Sequence, residues 1–67
     1  MDMQKLEKRM NDMKITIPMM ARELGMDQST YYRKRQKNGE DFSVLDLLTF
    51  KRVLKMNGQE AQDILLS

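Results

Sequence analysis

The sequence contains no cysteine and no histidine. Disulfide bonds, metal sites built on thiolate or imidazole ligands and nucleophilic cysteine chemistry are therefore excluded, and there is no histidine to act as a general base. No apolar run approaches the length of a membrane span, and no signal-peptide pattern opens the chain. We therefore expect a cytoplasmic protein with no metal, no cofactor, no membrane association and no small-molecule substrate.

Aromatic residues and proline are also scarce, since the 67 residues include two tyrosines, two phenylalanines, no tryptophan and one proline. Apolar residues nevertheless make up 40% of the chain, and many of them recur at helical spacing. This composition favours a globular fold over a disordered tail. The length corresponds to a single small domain that spans residues 1–67.

The positive charge is concentrated in one segment, "TYYRKRQKNGE". This segment holds Arg33, Lys34, Arg35 and Lys37, and no acidic residue occurs between Asp27 and Glu40. The whole chain has a formal net charge of +2, so without these four cations it would have an excess of two acidic residues. Such a local positive field favours a docking face over a general polycation.

The spacing of apolar and helix-capping residues predicts five helices and no strand. The first helix covers about residues 2–13 and turns one apolar face to the core. The fourth covers about residues 44–56 after a cap at Ser43, and it is the most apolar helix, which favours a central position in the bundle. Asn57 opens the fifth helix, whose inward-facing residues are Ala61, Ile64 and Leu65.

Two short helices lie between these elements and are joined by a tight turn. Thr16 is a good N-cap for the second helix, Pro18 falls in its first turn, and Gly25 supplies a left-handed stop. Asp27 then caps a third helix over about residues 28–37, which is followed by a loop that ends at the fourth helix. Two helices joined by a turn of about three residues that contains glycine form a helix-turn-helix.

Several large side chains are assigned from their place on these helices. Tyr31 is expected to pack in the core and Tyr32 to face outward. Because methionine fills irregular gaps in a core, the methionines are interpreted as core filling rather than as a partner groove. Met19 is expected at the surface. The methionines expected to face inward are Met10, Met13, Met20 and Met26.

These residues match a known family. Ala21 and Gly25, followed by Met26 and a polar helix start, resemble the helix-turn-helix of Cro and phage-repressor-type (XRE-like) regulators. The segment "GMDQS" is similar to the turn and recognition-helix start of lambdoid repressors. The segments "STYYRK", "NGEDFSV" and "GQEAQDILL" resemble a group of very short phage and prophage regulators. The resemblance covers the chain and implies an all-α, compact five-helix bundle of the lambda-repressor-like DNA-binding type, with the motif at about 16–37.

Two positions depart from the family pattern. Ile17 stands where the family often has a polar residue, commonly glutamine, and Arg35 stands where the short regulators tend to have an aliphatic residue. The third helix is then expected to be held to the core mainly by Met26 and Tyr31, with help from the stems of Lys34 and Arg35.

The resemblance implies that the third helix enters the major groove of double-stranded DNA. Residues at its start would reach base edges, where glutamine pairs with adenine and arginine with guanine. The residues expected to contact bases are Gln28, Ser29, Tyr32 and Arg33. Those expected to contact the DNA backbone are Thr16, Lys34, Arg35, Gln36, Lys37 and Asn38. Four cations near phosphates would give a slope of log affinity against log salt of roughly −3 to −4.

The function expected from these features is that of a sequence-specific transcription regulator of the Cro- or repressor-like kind, encoded by a phage or prophage. It would cover an operator and block or redirect polymerase, and the sequence leaves activation and repression open. Such regulators usually dimerise, because one recognition helix reads few base pairs. The candidates for a homodimer surface lie on helices four and five and are Leu45, Val53 and Leu66. Alternatively, these residues belong to the core or are isolated apolar residues at the surface.

Other function classes have less support in the sequence. A protein-interaction module on the same fold, such as an antitoxin-like protein or an inhibitor from a mobile element, would be expected to show an acidic or apolar docking face. RNA binding usually relies on exposed aromatic residues, and only Tyr32 is available. An enzyme is not expected, because caps and turns account for the acidic residues near the motif and no base-plus-nucleophile constellation exists.

Overall fold

Five α-helices and no strand make up the protein in the computed structural model, which describes residues 1–67. In chain order the helices are α1 (Met3–Asp12), α2 (Ile17–Leu24), α3 (Gln28–Gln36), α4 (Val44–Val53) and α5 (Gly58–Leu65). The expected all-α class and the number of helices are confirmed. The longest dimension of the bundle is 29 Å, so the short helices pack into one compact unit.

A polar side chain just before each helix fixes where that helix begins. At α3 the Asp27 carboxylate accepts a hydrogen bond from the backbone amide of Thr30 at 2.8 Å. Both α4 and α5 begin with a full capping box, in which a carboxylate in the first turn also accepts a hydrogen bond from the capping residue's amide. Each such cap stabilises its helix by about 1 kcal/mol. The five capping residues are Asp2, Thr16, Asp27, Ser43 and Asn57.

The chain turns sharply between α2 and α3 at Gly25, which adopts φ 72° and ψ 28°. The amide of Met26 donates to the Ala21 carbonyl at 3.0 Å, and the amide of Gly25 donates to the Arg22 carbonyl at 3.1 Å. These two bonds form a Schellman-type helix end and satisfy carbonyls that have no partner inside the helix. A side chain at this position would meet nothing within 4 Å, so the backbone conformation and not a lack of space favours glycine.

The core is centred on three aromatic rings. Phe42 lies between Tyr31 and Phe50, with ring-centroid distances of 5.7 and 5.1 Å. Phe42 belongs to the loop expected between the third and fourth helices, and the loop folds its ring inward. The burial of Tyr31 is confirmed, because its side chain has no exposed surface. The other core residues are Met3, Leu6, Met10, Met20, Ala21, Leu54, Met56 and Leu65.

Methionine fills much of the space around the rings. Four of the eight methionines are buried, and three others pack against the core from its edge. Met19 is 45% exposed, as expected. The flexible thioether chain adapts to the irregular gaps that short helices leave between them, so a small domain with few aromatic residues can still pack its interior. The methionines expected to face inward do so.

The expected central position of α4 is wrong. Phe50 is the only buried residue within this helix, whereas Val44, Leu45 and Leu48 are each more than half exposed. The reason is the small size of the domain, which places a single layer of helices around one core and surrounds no helix on all sides. The many apolar residues of α4 are therefore divided between the core and the surface.

Helix α4 also ends earlier than expected, at Val53, because the chain leaves the helical conformation at Lys55, where φ is 52°. The Arg9 guanidinium of α1 binds the carbonyls at this end, donating to Leu54 at 3.0 and 3.1 Å and to Lys55 at 3.1 Å. The same guanidinium forms an ion pair with Glu60 of α5. One side chain thus satisfies the end of α4 and holds the corner between α4 and α5.

Replacement of Gly25 by alanine tests the left-handed corner. We expect Gly25→Ala to lower the free energy of unfolding by about 1–2 kcal/mol, because a Cβ atom disfavours positive φ. Gly58 is a matched control, since it begins α5 outside the left-handed region and its Cβ would also meet nothing. Gly58→Ala should stabilise the protein by up to about 1 kcal/mol. Urea unfolding followed by circular dichroism measures both, and equal changes would contradict the role of the corner.

Candidate nucleic-acid interface

Helix α3 is held to the bundle by Tyr31 and by the Glu7 carboxylate of α1. The Tyr31 hydroxyl donates a hydrogen bond to Glu7 Oε2 at 3.0 Å. Burial raises the pKa of Tyr31, and the negative charge of Glu7 raises it further, so the phenol stays neutral and remains a donor. Glu7 also binds Arg35, one turn along α3, with Nε 2.8 Å from Oε2. Helix α1 therefore fixes α3 at two successive turns.

The solvent-exposed residues of α3 form a polar face. Gln28, Tyr32 and Gln36 follow one another at intervals of four, so they lie in one row along the helix. Ser29 and Arg33 form a second row beside them. All five residues are exposed. The structure thus places the four residues expected to contact bases on one continuous face: Gln28, Ser29, Tyr32 and Arg33.

Most of the polar groups on this face are free to bind a ligand. The side chains of Gln28, Tyr32, Arg33 and Gln36 make no hydrogen bond within the protein. Ser29 differs, because its hydroxyl donates to the Asp27 carboxylate at 3.0 Å. The face therefore offers amide, phenol and guanidinium groups whose hydrogen-bonding capacity the fold does not use.

Asp27 places a negative charge at the start of this face. Hydrogen bonds from Thr30 and Ser29, together with the nearby charge of Arg33, hold the pKa of the Asp27 carboxyl below its usual value. The carboxylate is therefore ionised at neutral pH and strengthens the cap of α3. It also repels phosphate, so an anionic ligand would approach the face nearer to Arg33.

Three of the four cations that follow Tyr32 are paired with carboxylates from other parts of the fold. The pairs are Arg35 with Glu7 at 2.8 Å, Lys34 with Asp46 at 3.7 Å and Lys37 with Asp41 at 3.3 Å. Only Arg33 has no carboxylate oxygen within 4.0 Å. The sequence shows a strongly basic segment, but the folded protein neutralises most of its charge.

The remaining residues expected to contact the DNA backbone are all exposed. Thr16 caps α2, and its hydroxyl oxygen accepts a hydrogen bond from the Met19 amide at 3.3 Å, which leaves the hydroxyl proton free to donate. Asn38 follows α3 in a left-handed conformation with φ 59°. Gln36 lies in the last turn of α3. Their contacts with phosphates stay a prediction.

The expectations drawn from the sequence did not include the three carboxylates at this site. Asp41 stands four residues after Lys37, and this spacing is a signal that a search for local ion pairs could have found. Glu7 and Asp46 lie on α1 and α4, so only the packing of these helices against α3 brings them to the cations. No local sequence pattern reports such a contact.

A second exposed surface lies between α4 and α5 and is apolar. We call it the α4–α5 surface and define it by Val44, Leu45, Leu48 and Leu66, which are 56–75% exposed. A groove of about 390 Å³ runs beside them. Leu45 and Leu66, two of the three candidates for a homodimer surface, thus lie here. Val53, the third, packs against the core instead, where it lies on the inward side of α4.

The structure contains no candidate metal site or membrane-spanning helix, and comparison with other proteins gives no match. No group of three or more histidine, cysteine or acidic residues is placed to hold a metal ion. None of the five helices combines the length and the apolarity that crossing a membrane requires. Comparison of the chain with protein-family models, with curated proteins and with solved structures gives no match. The candidate interface is therefore defined by the geometry of this chain.

Replacement of Tyr31 by phenylalanine tests the anchor of α3. We expect Tyr31→Phe to lower the free energy of unfolding by about 1–2 kcal/mol, because a hydrogen bond to a charged acceptor is lost. Tyr32→Phe removes the same atom from the exposed neighbour and should change stability by less than about 0.5 kcal/mol. Urea unfolding compares the two variants. Equal effects would show that the buried hydroxyl does not hold the helix.

Proposed function

We propose that the protein is a sequence-specific transcription regulator that binds double-stranded DNA through a helix-turn-helix formed by α2, the turn 25–27 and α3. One observation carries this proposal: α3 presents a row of unused polar side chains while Tyr31 fixes the helix to the core. Reading base edges needs hydrogen-bonding groups on a rigid element, and this face provides them. The protein would act by binding and not by catalysis.

The dimensions of α3 suit the major groove. Its nine residues span about 13 Å at the usual helical rise. A helix with its side chains is about 10–12 Å in diameter, and the major groove of B-DNA is about 12 Å wide. In a helix-turn-helix the first residues of the second helix reach the bases, and here those residues are Gln28 and Ser29.

The chemistry of the exposed face assigns a role to each side chain. The amide of Gln28 can form two hydrogen bonds with adenine, and the guanidinium of Arg33 can do the same with guanine. Ser29 and Tyr32 lie between them and would add less discriminating contacts. Thr16, Gln36 and Asn38 would donate to phosphates at the edges of the site, where such bonds set orientation and not sequence preference.

We further propose that a second copy of the chain covers the α4–α5 surface. A single α3 reads too few base pairs for specific recognition, whereas a two-fold dimer presents two such helices to two half-sites. The surface places exposed leucines beside an apolar groove on the same face. A ridge next to a groove is self-complementary under two-fold symmetry, because each copy can place its ridge in the other's groove.

The second candidate function is a protein-interaction module of the antitoxin or mobile-element inhibitor type. The α4–α5 surface favours it, because contiguous exposed apolar residues mark protein contacts. In that case α3 would have no ligand, and its row of unused polar groups would be ordinary solvated surface. The DNA proposal accounts for both surfaces, which is why we place it first.

Selection of preferred duplexes from a random library, followed by affinity measurements, tests DNA reading. We expect Arg33→Ala to weaken binding to the preferred duplex about tenfold or more, because a bidentate guanine contact discriminates by about 1–3 kcal/mol. Lys8→Ala, which removes one exposed cation from α1, is the control and should have little effect. Equal losses from both variants, or no enrichment of any sequence, would contradict the proposal.

Sedimentation equilibrium tests the second copy. We expect Leu48→Lys to shift the protein toward monomer, because the new charge would be buried in the contact. Met19→Lys introduces the same charge at an exposed apolar residue of α2 and should leave association unchanged. A wild-type protein that stays monomeric at high concentration would rule out the dimer. Dissociation by both variants would mean that the α4–α5 surface is not the contact.

A further inference from the structure

The carboxylates that neutralise α3 support an inference that rests on the proposed function. We propose that Glu7, Asp41 and Asp46 act as internal counterions, which limit how strongly α3 attracts DNA of any sequence. Binding to a duplex would then depend on Arg33 and on the uncharged polar groups beside it. These three acidic residues would set the specificity of the protein without touching a base.

The ion pairs account for most of the charge of the segment. Three of its four cations face carboxylates at 2.8–3.7 Å, which leaves Arg33 as the one cation of the segment outside an ion pair. At physiological ionic strength charges are screened over about 8 Å. A phosphate approaching from solvent therefore meets nearly neutral pairs, and Arg33 is the one cation of the segment that forms no ion pair.

The Glu7 pair is held more firmly than the other exposed pair. The Glu7 side chain is 22% exposed and also accepts the Tyr31 hydrogen bond, so it cannot move away from Arg35 without breaking the anchor of α3. Asp41 and Lys37 have side chains that are 49% and 64% exposed, and solvent screens their attraction. Glu7 is therefore a stronger counterion than Asp41.

Arg35 keeps a restricted capacity to bind phosphate. Its Nε binds Glu7, whereas its two terminal nitrogens make no hydrogen bond within the protein. Glu7 thus both orients the guanidinium of Arg35 and neutralises its positive charge. A phosphate bound to such a group would gain hydrogen bonds but little release of counterions, because the pair is already neutral.

Salt dependence separates this arrangement from a free basic helix. Four free cations would give a slope of about −3.6, equivalent to roughly 150-fold weaker binding when salt rises from about 50 to about 200 mM. One free cation gives a slope of about −0.9 and a loss of about 3.5-fold over the same range. The structure therefore corresponds to a shallow slope, well below the value expected from the sequence.

The consequence for recognition follows from the nature of phosphate contacts. They attract every sequence alike, and a genome offers a vast excess of competing sites. Internal neutralisation lowers this shared attraction while the base-reading groups at the start of α3 are unchanged. The ratio of specific to non-specific affinity is therefore higher than it would be for the same helix with four unpaired cations.

The test measures binding of the full chain to a labelled random-sequence duplex at several salt concentrations. The variants are Glu7→Gln and Asp41→Asn, which keep side-chain shape and remove one carboxylate each. Asp12→Asn is the matched control. Asp12 pairs with Lys8 on α1 at the same four-residue spacing as the Lys37–Asp41 pair, and the substitution changes the net charge of the protein by the same amount. Thermal unfolding checks that the Glu7→Gln variant stays folded. If that variant unfolds, Asp41→Asn still tests the inference, because Asp41 lies in an exposed loop.

We expect a wild-type slope near −1 for each bound copy of the chain. Each of the two variants should steepen it by about 0.9 and tighten binding several-fold at low salt, while Asp12→Asn leaves the slope unchanged. A wild-type slope of about −3 to −4 that neither variant alters would overturn the inference and leave DNA binding intact. An equal effect of the control would also overturn it. Absence of duplex binding at low salt by all proteins would instead remove the proposed function, and this inference with it.

Discussion

The arrangement of the molecule depends on the burial of one amphipathic side chain. Tyr31 places its ring in the aromatic core and so brings α3 against the bundle. A buried hydroxyl without an acceptor would cost about 1–3 kcal/mol, and Glu7 supplies the acceptor. The negative charge of this acceptor also attracts Arg35 to the same carboxylate. A requirement of the core thereby determines both the position of α3 and part of its surface charge.

Features that depend on atoms a few residues apart could be predicted from the sequence. The Asp27 cap is a bond to an amide three residues on, and the corner at Gly25 needs only a residue that tolerates positive φ. The exposed row on α3 follows from the helical period once Tyr31 is placed inward. For this reason the helix starts, the glycine corner and the common face of Gln28 and Arg33 follow from the chain before any packing is known.

Features that depend on how the helices pack could not be predicted in this way. No residue near Phe42 in the sequence indicates that its loop folds inward. The composition of α4 likewise does not indicate which of its apolar residues are exposed to solvent. The charge of the site is the clearest case. The sequence around Arg35 has basic residues and no acidic one, and the carboxylate that faces Arg35 lies 28 residues earlier in the chain. Local charge patterns overstate the field of a helix whenever neighbouring elements are acidic.

The methionine-rich core has a consequence for oxidative chemistry. With no cysteine and no tryptophan in the chain, peroxide would act mainly on methionine sulfur. Met19 is 45% exposed, whereas Met10 and Met20 are almost completely shielded while the helices stay packed. A sulfoxide at either interior position would put a polar group in the apolar core and oppose refolding. The rate at which Met10 and Met20 are oxidised, relative to Met19, therefore reports how often the bundle opens.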